Sequence, residues 1–150
     1  MPLNRAWIES HIPHQGAMCL LDEVLDYDAQ QARCRSGSHR TSDNPLRSHG
    51  RLGVACGIEY AAQAMAIHGA LAHGGRSEAG FLASVRDVQL AVARLDDIEA
   101  DLICSVVQVA GDALSAMYRF TVTAERQILL QGRASVVLDA KRLRRAGWPA

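Results

Sequence analysis

Glu59 and Gln63 stand one helical turn apart in the run Gly57-Ile58-Glu59-Tyr60-Ala61-Ala62-Gln63-Ala64, and six histidines are scattered through the 150-residue chain. A carboxyl and an imidazole suffice to take a proton from one atom and give one to another. The imidazole titrates near neutrality and can accept, while a carboxyl in apolar surroundings has its pKa raised and can stay protonated as the donor. Glu59 is the carboxyl candidate. It falls at the start of a predicted helix, where the dipole favours the ionised form and opposes desolvation, so it also reads as an ordinary first-turn Glu. Gln63 lies on the same side and could hold that carboxyl or a ligand hydroxyl, or be satisfied at a subunit interface. Two histidines fall in informative places: His49 in Ser48-His49-Gly50, in the loop that leads into the helix, and His14 in Ile12-Pro13-His14. His11, His39, His68 and His73 show no ligand spacing, and His68 reads as a helix residue at a wet edge or interface. Gly53 and Gly57 flank the helix start, whose N–H groups can meet developing negative charge; turn geometry or packing explains both equally well.

The elements that must position these residues are visible in the hydrophobic periods. Ile58, Ala61, Ala62, Met65, Ala66 and Gly69 recur at helical spacing, which predicts a helix over Gly57–Ala72 with a face of small residues, suited to close packing against a sheet. Downstream the period becomes two. Val88, Leu90 and Val92 alternate with their neighbours, and Leu102–Val109, Leu114–Val122 and Ile128–Leu138 read as three further strands joined by short turns at Gly111-Asp112 and Ala124-Glu125-Arg126. Upstream, Ile12–Tyr27 reads as a helical or turn entry followed by a first strand, with Ala32–Ser38 as its partner. Loops are expected at Arg35–Arg51 and His73–Ser77. The outline is an α+β domain spanning residues 1–150, with one central helix. A single helix covers one sheet face, so at least a homodimer is expected.

Composition narrows the function classes. With 49% hydrophobic residues and 16 basic against 16 acidic side chains, the chain is neither disordered nor a basic nucleic-acid binder. Cys19, Cys34, Cys56 and Cys104 lack any C-x-x-C or Cys/His ligand spacing, so buried free thiols are expected and no metal site. No apolar run is long enough for a membrane span and Met1–His14 lacks a signal-peptide segment, which points to a cytoplasmic protein.

Three ordered stretches resemble the (3R)-hydroxyacyl-acyl-carrier-protein dehydratases. Ile12-Pro13-His14 with Met18-Cys19-Leu20-Leu21-Asp22-Glu23-Val24 is similar to that family's Pro-His opening; Gly57–Ala64 is similar to its catalytic helix; Gly80–Val88 resembles the strand that leaves it. The likeness runs from about Ile8 to Leu138. Asn44-Pro45-Leu46-Arg47 and Gly50-Arg51-Leu52 resemble more narrowly the divergent branch associated with aryl polyene gene clusters, whose dehydratase-like subunits can work in pairs. The resemblance implies a hotdog fold, a long central helix wrapped by a curved antiparallel sheet of about five to six strands, paired into a dimer with active sites at the interface.

The same resemblance implies a function. A 3-hydroxyacyl thioester carried by an acyl carrier protein loses water to give the trans-2-enoyl thioester, in fatty acid or polyene biosynthesis and with no cofactor. Glu59 would be the acid and His49 or His14 the base, with Gln63, Gly53 and Gly57 toward the substrate. One departure stands out. The family's His-Phe-Pro-Gly motif is missing, and position 45, fourteen residues before Glu59, is Pro. Two other readings follow: a non-catalytic or half-catalytic subunit paired with a homologous dehydratase, and a hotdog thioesterase using a helix carboxylate to activate water. The basic tail of residues 139–150, with Lys141-Arg142-Leu143-Arg144-Arg145, reads as solvated or as a dock for an acidic carrier protein.

Overall fold

The computed structural model describes residues 3–72, 81–112 and 114–137. The expected loop His73–Ser77, the last residue of Ile128–Leu138 and the basic tail lie outside them. Seven strands form one antiparallel sheet: β1 (Leu3–Asn4), β2 (Glu23–Tyr27), β3 (Gln31–Ser36), β4 (Phe81–Leu90), β5 (Leu102–Gly111), β6 (Ser115–Ala124) and β7 (Gln127–Val137). The spatial order is β1-β2-β3-β5-β6-β7-β4, so β4 crosses to the far edge and pairs with the last strand. Among the described residues two α-helices accompany the sheet, α1 (Arg5–His11) and α2 (Gly57–Ala72).

Two elements go beyond the sequence-based outline. The sheet has one strand more than the five or six expected because β1 contributes only two residues, too few to show a period. Helix α1 was not foreseen, although its signals are in the sequence: Asn4 caps it by accepting the Trp7 N–H at 2.9 Å, and Arg5 pairs with Glu9 one turn on. The alternation at Val88–Val92 marks only the end of a strand that begins at Phe81, and Val92 lies past it. A left-handed Asp87 (φ 54°) and a register shift between Arg86 and Gln89 break that strand's phase.

The sheet's inner face is set by alternation, broken on β7 where Leu129 and Leu130 are both buried. Ala32 and Cys34; Leu102, Cys104 and Val106; Tyr118, Phe120 and Val122; and Leu130, Ala134 and Val136 point inward from four adjacent strands and close over α2. The helix is buried on more sides than its sequence suggested. Tyr60, Gln63, Ala64, Ile67, His68 and Ala70 join Ala61 and Met65 in the core, while Ile58, Ala62, Ala66 and Gly69 form a half-buried stripe. His68 is therefore no edge residue: it is fully buried, with Nδ1 2.8 Å from the Tyr118 hydroxyl and Nε2 3.2 Å from the Ala29 carbonyl. All four cysteines are free; Cys56 is half-buried and the other three are buried. Burial pushes the Cys34 thiol up to about 12, which makes it a hydrophobe rather than a nucleophile.

The entry to α2 is anchored from outside the helix. A short antiparallel patch joins residues 52–54 to 93–95, with Leu95 N–H donating to Leu52 O at 2.8 Å and Val54 N–H to Ala93 O at 3.1 Å. Asp96 accepts the Leu52 N–H at 2.8 Å and is held by the Arg94 guanidinium. That ion pair and hydrogen bond hold the Asp96 carboxyl well below the usual carboxylate range.

Candidate active site

The first turn of α2 carries Glu59, and the chain entering β2 brings His14 to it. His14 Nε2 lies 3.2 Å from Glu59 Oε1, with both side chains partly exposed. Gln63, fully buried, donates from Nε2 to the same carboxylate oxygen at 3.3 Å and to the Met18 carbonyl at 2.7 Å, while its Oε1 accepts the Leu20 N–H at 2.9 Å. One carboxamide thus fixes both Glu59 and the backbone just beyond His14. Its donors and acceptor face the protein, so it positions the pair.

The Glu59 carboxyl is held below its ordinary value, first by the His14 hydrogen bond, with Gln63 adding to it and burial pulling the other way. This reverses the expectation that burial would keep Glu59 protonated. The resting arrangement is a carboxylate accepting from the imidazole Nε2–H. The other ring nitrogen, His14 Nδ1, is buried with no hydrogen-bond partner among the described residues.

Leu20 is held through its main chain on both sides. Its carbonyl accepts from Ser36 Oγ at 2.5 Å and Ser38 Oγ at 2.8 Å, and Ser38 Oγ is 2.7 Å from the Tyr60 hydroxyl, which also accepts from Asn44 Nδ2 at 2.9 Å. This buried network joins α2 to β3 and the loop after it, and sequence reasoning did not assign it. The signal available was the cluster of small hydroxyl residues at 36 and 38, which the sequence presents only as loop composition. A cavity of about 170 Å³ opens beside it, lined by Ala17, Cys19, Ser38, Thr41, Asn44 and Pro45 among others.

The remaining candidates are placed differently. His49 sits on an exposed tight turn, left-handed (φ 54°) like Gly50 after it, and makes no hydrogen bond or ion pair among the described residues. Gly53 begins the 3-10 turn Val54–Cys56 that runs straight into α2, and a side chain there would meet open space. The Gly57 N–H is already bonded to the carbonyls of Val54 and Ala55. Gly57 is a packing glycine, since a Cβ there would stand 2.6 Å from Leu130 Cδ2.

A long helix wrapped by one antiparallel sheet is the architecture of the hotdog class. The model of the ApeP-like family, described as ApeP dehydratase, matches residues 6–144, and the chain belongs to that dehydratase family. Among solved structures it is similar to the dehydratase heterocomplex ApeI:P from Xenorhabdus doucetiae, at 19% identity and TM-score 0.80 over 93% of this chain and 95% of that one. It is also similar to AziG from S. sahachiroi, at 13% identity and TM-score 0.57 over 77% and 88%. Zebra fish thioesterase superfamily member 2 aligns at 14% identity and TM-score 0.58 over 81% and 83%. At these identities the structural likeness speaks for the hotdog fold, which dehydratases and thioesterases share. No curated protein matches the chain in sequence.

Proposed function

We propose that this member of the dehydratase family removes water from a 3-hydroxyacyl thioester delivered by an acyl carrier protein in the cytoplasm, yielding the trans-2-enoyl thioester. The observation that carries the reading is the 3.2 Å contact between His14 Nε2 and Glu59 Oε1 at the start of α2. His14 takes the proton from C2 on a ring nitrogen. The C2–H electron pair becomes the C2=C3 double bond, the C3–O bond breaks, and the proton carried by His14 passes to the departing hydroxide to make water. Glu59 acts as a carboxylate that orients the ring and stabilises the imidazolium. This differs from the role first expected of it, as a protonated acid. No electrons are exchanged, so the reaction calls for no redox cofactor.

The test is mass spectrometry of a 3-hydroxyacyl carrier protein, watching for loss of one water. His14→Ala and Glu59→Gln are expected to slow the loss by roughly 10²–10⁴-fold, and His49→Ala to leave it unchanged. Full activity in His14→Ala would remove His14 from the mechanism. Free acid in place of enoyl thioester would show a thioesterase.

A second reading keeps a specific motivation. The family's His-Phe-Pro-Gly motif is missing from this sequence, and the ApeI:P structure is a dehydratase heterocomplex. Under this reading the chain pairs with a homologous subunit that supplies or completes the catalytic site. Water loss that begins only when the homologous subunit is added favours it over the self-sufficient enzyme.

A further inference from the structure

The outer face of the sheet carries three arginines in one lateral row. Arg133 on β7 is register partner to Arg86 on β4 and to Arg119 on β6, and all three are exposed. Directly opposed like charges on neighbouring strands destabilise a sheet, and such a break in a local rule marks a place kept for another purpose. The other strand and loop arginines with nearby carboxylates are paired: Arg33 to Asp26 at 2.8 Å, Arg35 to Asp101 at 3.3 Å and Arg40 to Asp101 at 2.7 Å. Arg86 and Arg119 have no ion pair among the described residues, and Arg133 has only Asp87, 3.9 Å away with the pair 56% and 74% exposed. In a chain of zero net charge, the row is a local excess of positive charge that Asp87 offsets only in part among the described residues.

The surroundings say what kind of partner it fits. A cavity of about 160 Å³ lies among Asp87, Gln89, Arg119, Gln131 and Arg133. Val107, register partner of Arg119, and Met117 beside it are large apolar side chains left 42% and 39% exposed. A free phosphate has no use for apolar flanks, whereas an acidic protein surface with a hydrophobic margin matches both features. We propose that the Arg86–Arg133–Arg119 row docks the acidic face of the acyl carrier protein. This rests on the dehydratase reading above, which has the substrate arrive on such a carrier.

The experiment measures binding of the full chain to an acyl carrier protein of the source organism, by calorimetry at low and high salt, for wild type and for Arg86→Gln/Arg119→Gln/Arg133→Gln. The triple variant is expected to melt no lower than wild type, to bind at least tenfold more weakly at low salt, and to lose most of the salt dependence. A second variant, Arg33→Gln/Arg35→Gln/Arg40→Gln, removes the same charge elsewhere and is expected to keep binding within about threefold. Equal weakening in both variants, unchanged binding in the first, or no binding by wild type each overturns the docking surface. The dehydratase reading fails separately: binding lost in the first variant, with no water removed by wild type, keeps the dock and overturns the activity.

Discussion

At the scale of residues, the consequence of the His14–Glu59 pair extends from chemistry to stability. The folded protein holds Glu59 below its ordinary value of 4.5, so the ionised carboxylate stabilises the fold. That contribution is fully present above the ordinary value and disappears as the pH falls through the lower folded value. Glu59→Gln, which does not titrate, is expected to be less stable than wild type at about pH 7 and to close the gap as the pH falls below the ordinary value of 4.5, checked by urea denaturation over that descent. The pair itself could be reached from sequence only in part. Glu59 and Gln63 declare themselves by sharing one helical face, but His14 lies 45 residues from Glu59 and meets it through tertiary structure. His49, nearer in sequence, is carried away by a left-handed turn whose geometry its own neighbours dictate. The Gln63 amide reads from sequence as free to meet a ligand because nothing local shows that the main chain at 18 and 20 will occupy it.

At the scale of elements, two glycines in α2 separate packing from propensity. Gly57→Ala would drive a methyl group into the buried Leu130 side chain, and overpacking of this kind costs about 1–3 kcal/mol. Gly69→Ala meets nothing within 4 Å and should gain about 0.5–1 kcal/mol from helix propensity alone. Denaturant midpoints of the two variants are expected to move in opposite directions. Opposite signs would place the close contact between α2 and β7 where the structure has it. The start of α2 at Gly57 was legible, and the helical spacing of small residues holds through the last helix residue described, Ala72. Which face it buries was not, because a helix apolar on most sides has little amphipathic asymmetry to read. The hairpin between β6 and β7 was legible too, yet its two-residue turn uses Glu125 and Arg126, both left-handed, where Asn-Gly would be the ordinary choice.

At the scale of the whole molecule, the half-buried stripe Ile58, Ala62, Ala66 and Gly69 leaves one side of the central helix open, as expected of a fold that pairs. Wild type is expected to run at twice the 16.2 kDa chain mass, or to bind a homologous hotdog subunit, in light scattering after gel filtration. Ala66→Arg should run at the single-chain mass with its circular dichroism unchanged. A wild type that stays single with and without that subunit would overturn the expectation. The strand order has a consequence in time as well as space. Among the described residues β4 pairs in this sheet only with β7, so a ribosome that has already released Phe81–Leu90 must still make everything up to Val137 before that edge can close. At about 5–20 residues per second the wait is roughly a few seconds. During it an unpaired strand and the inner faces of β5 and β6 stand open to any chaperone, or any neighbouring nascent chain, that reaches them first.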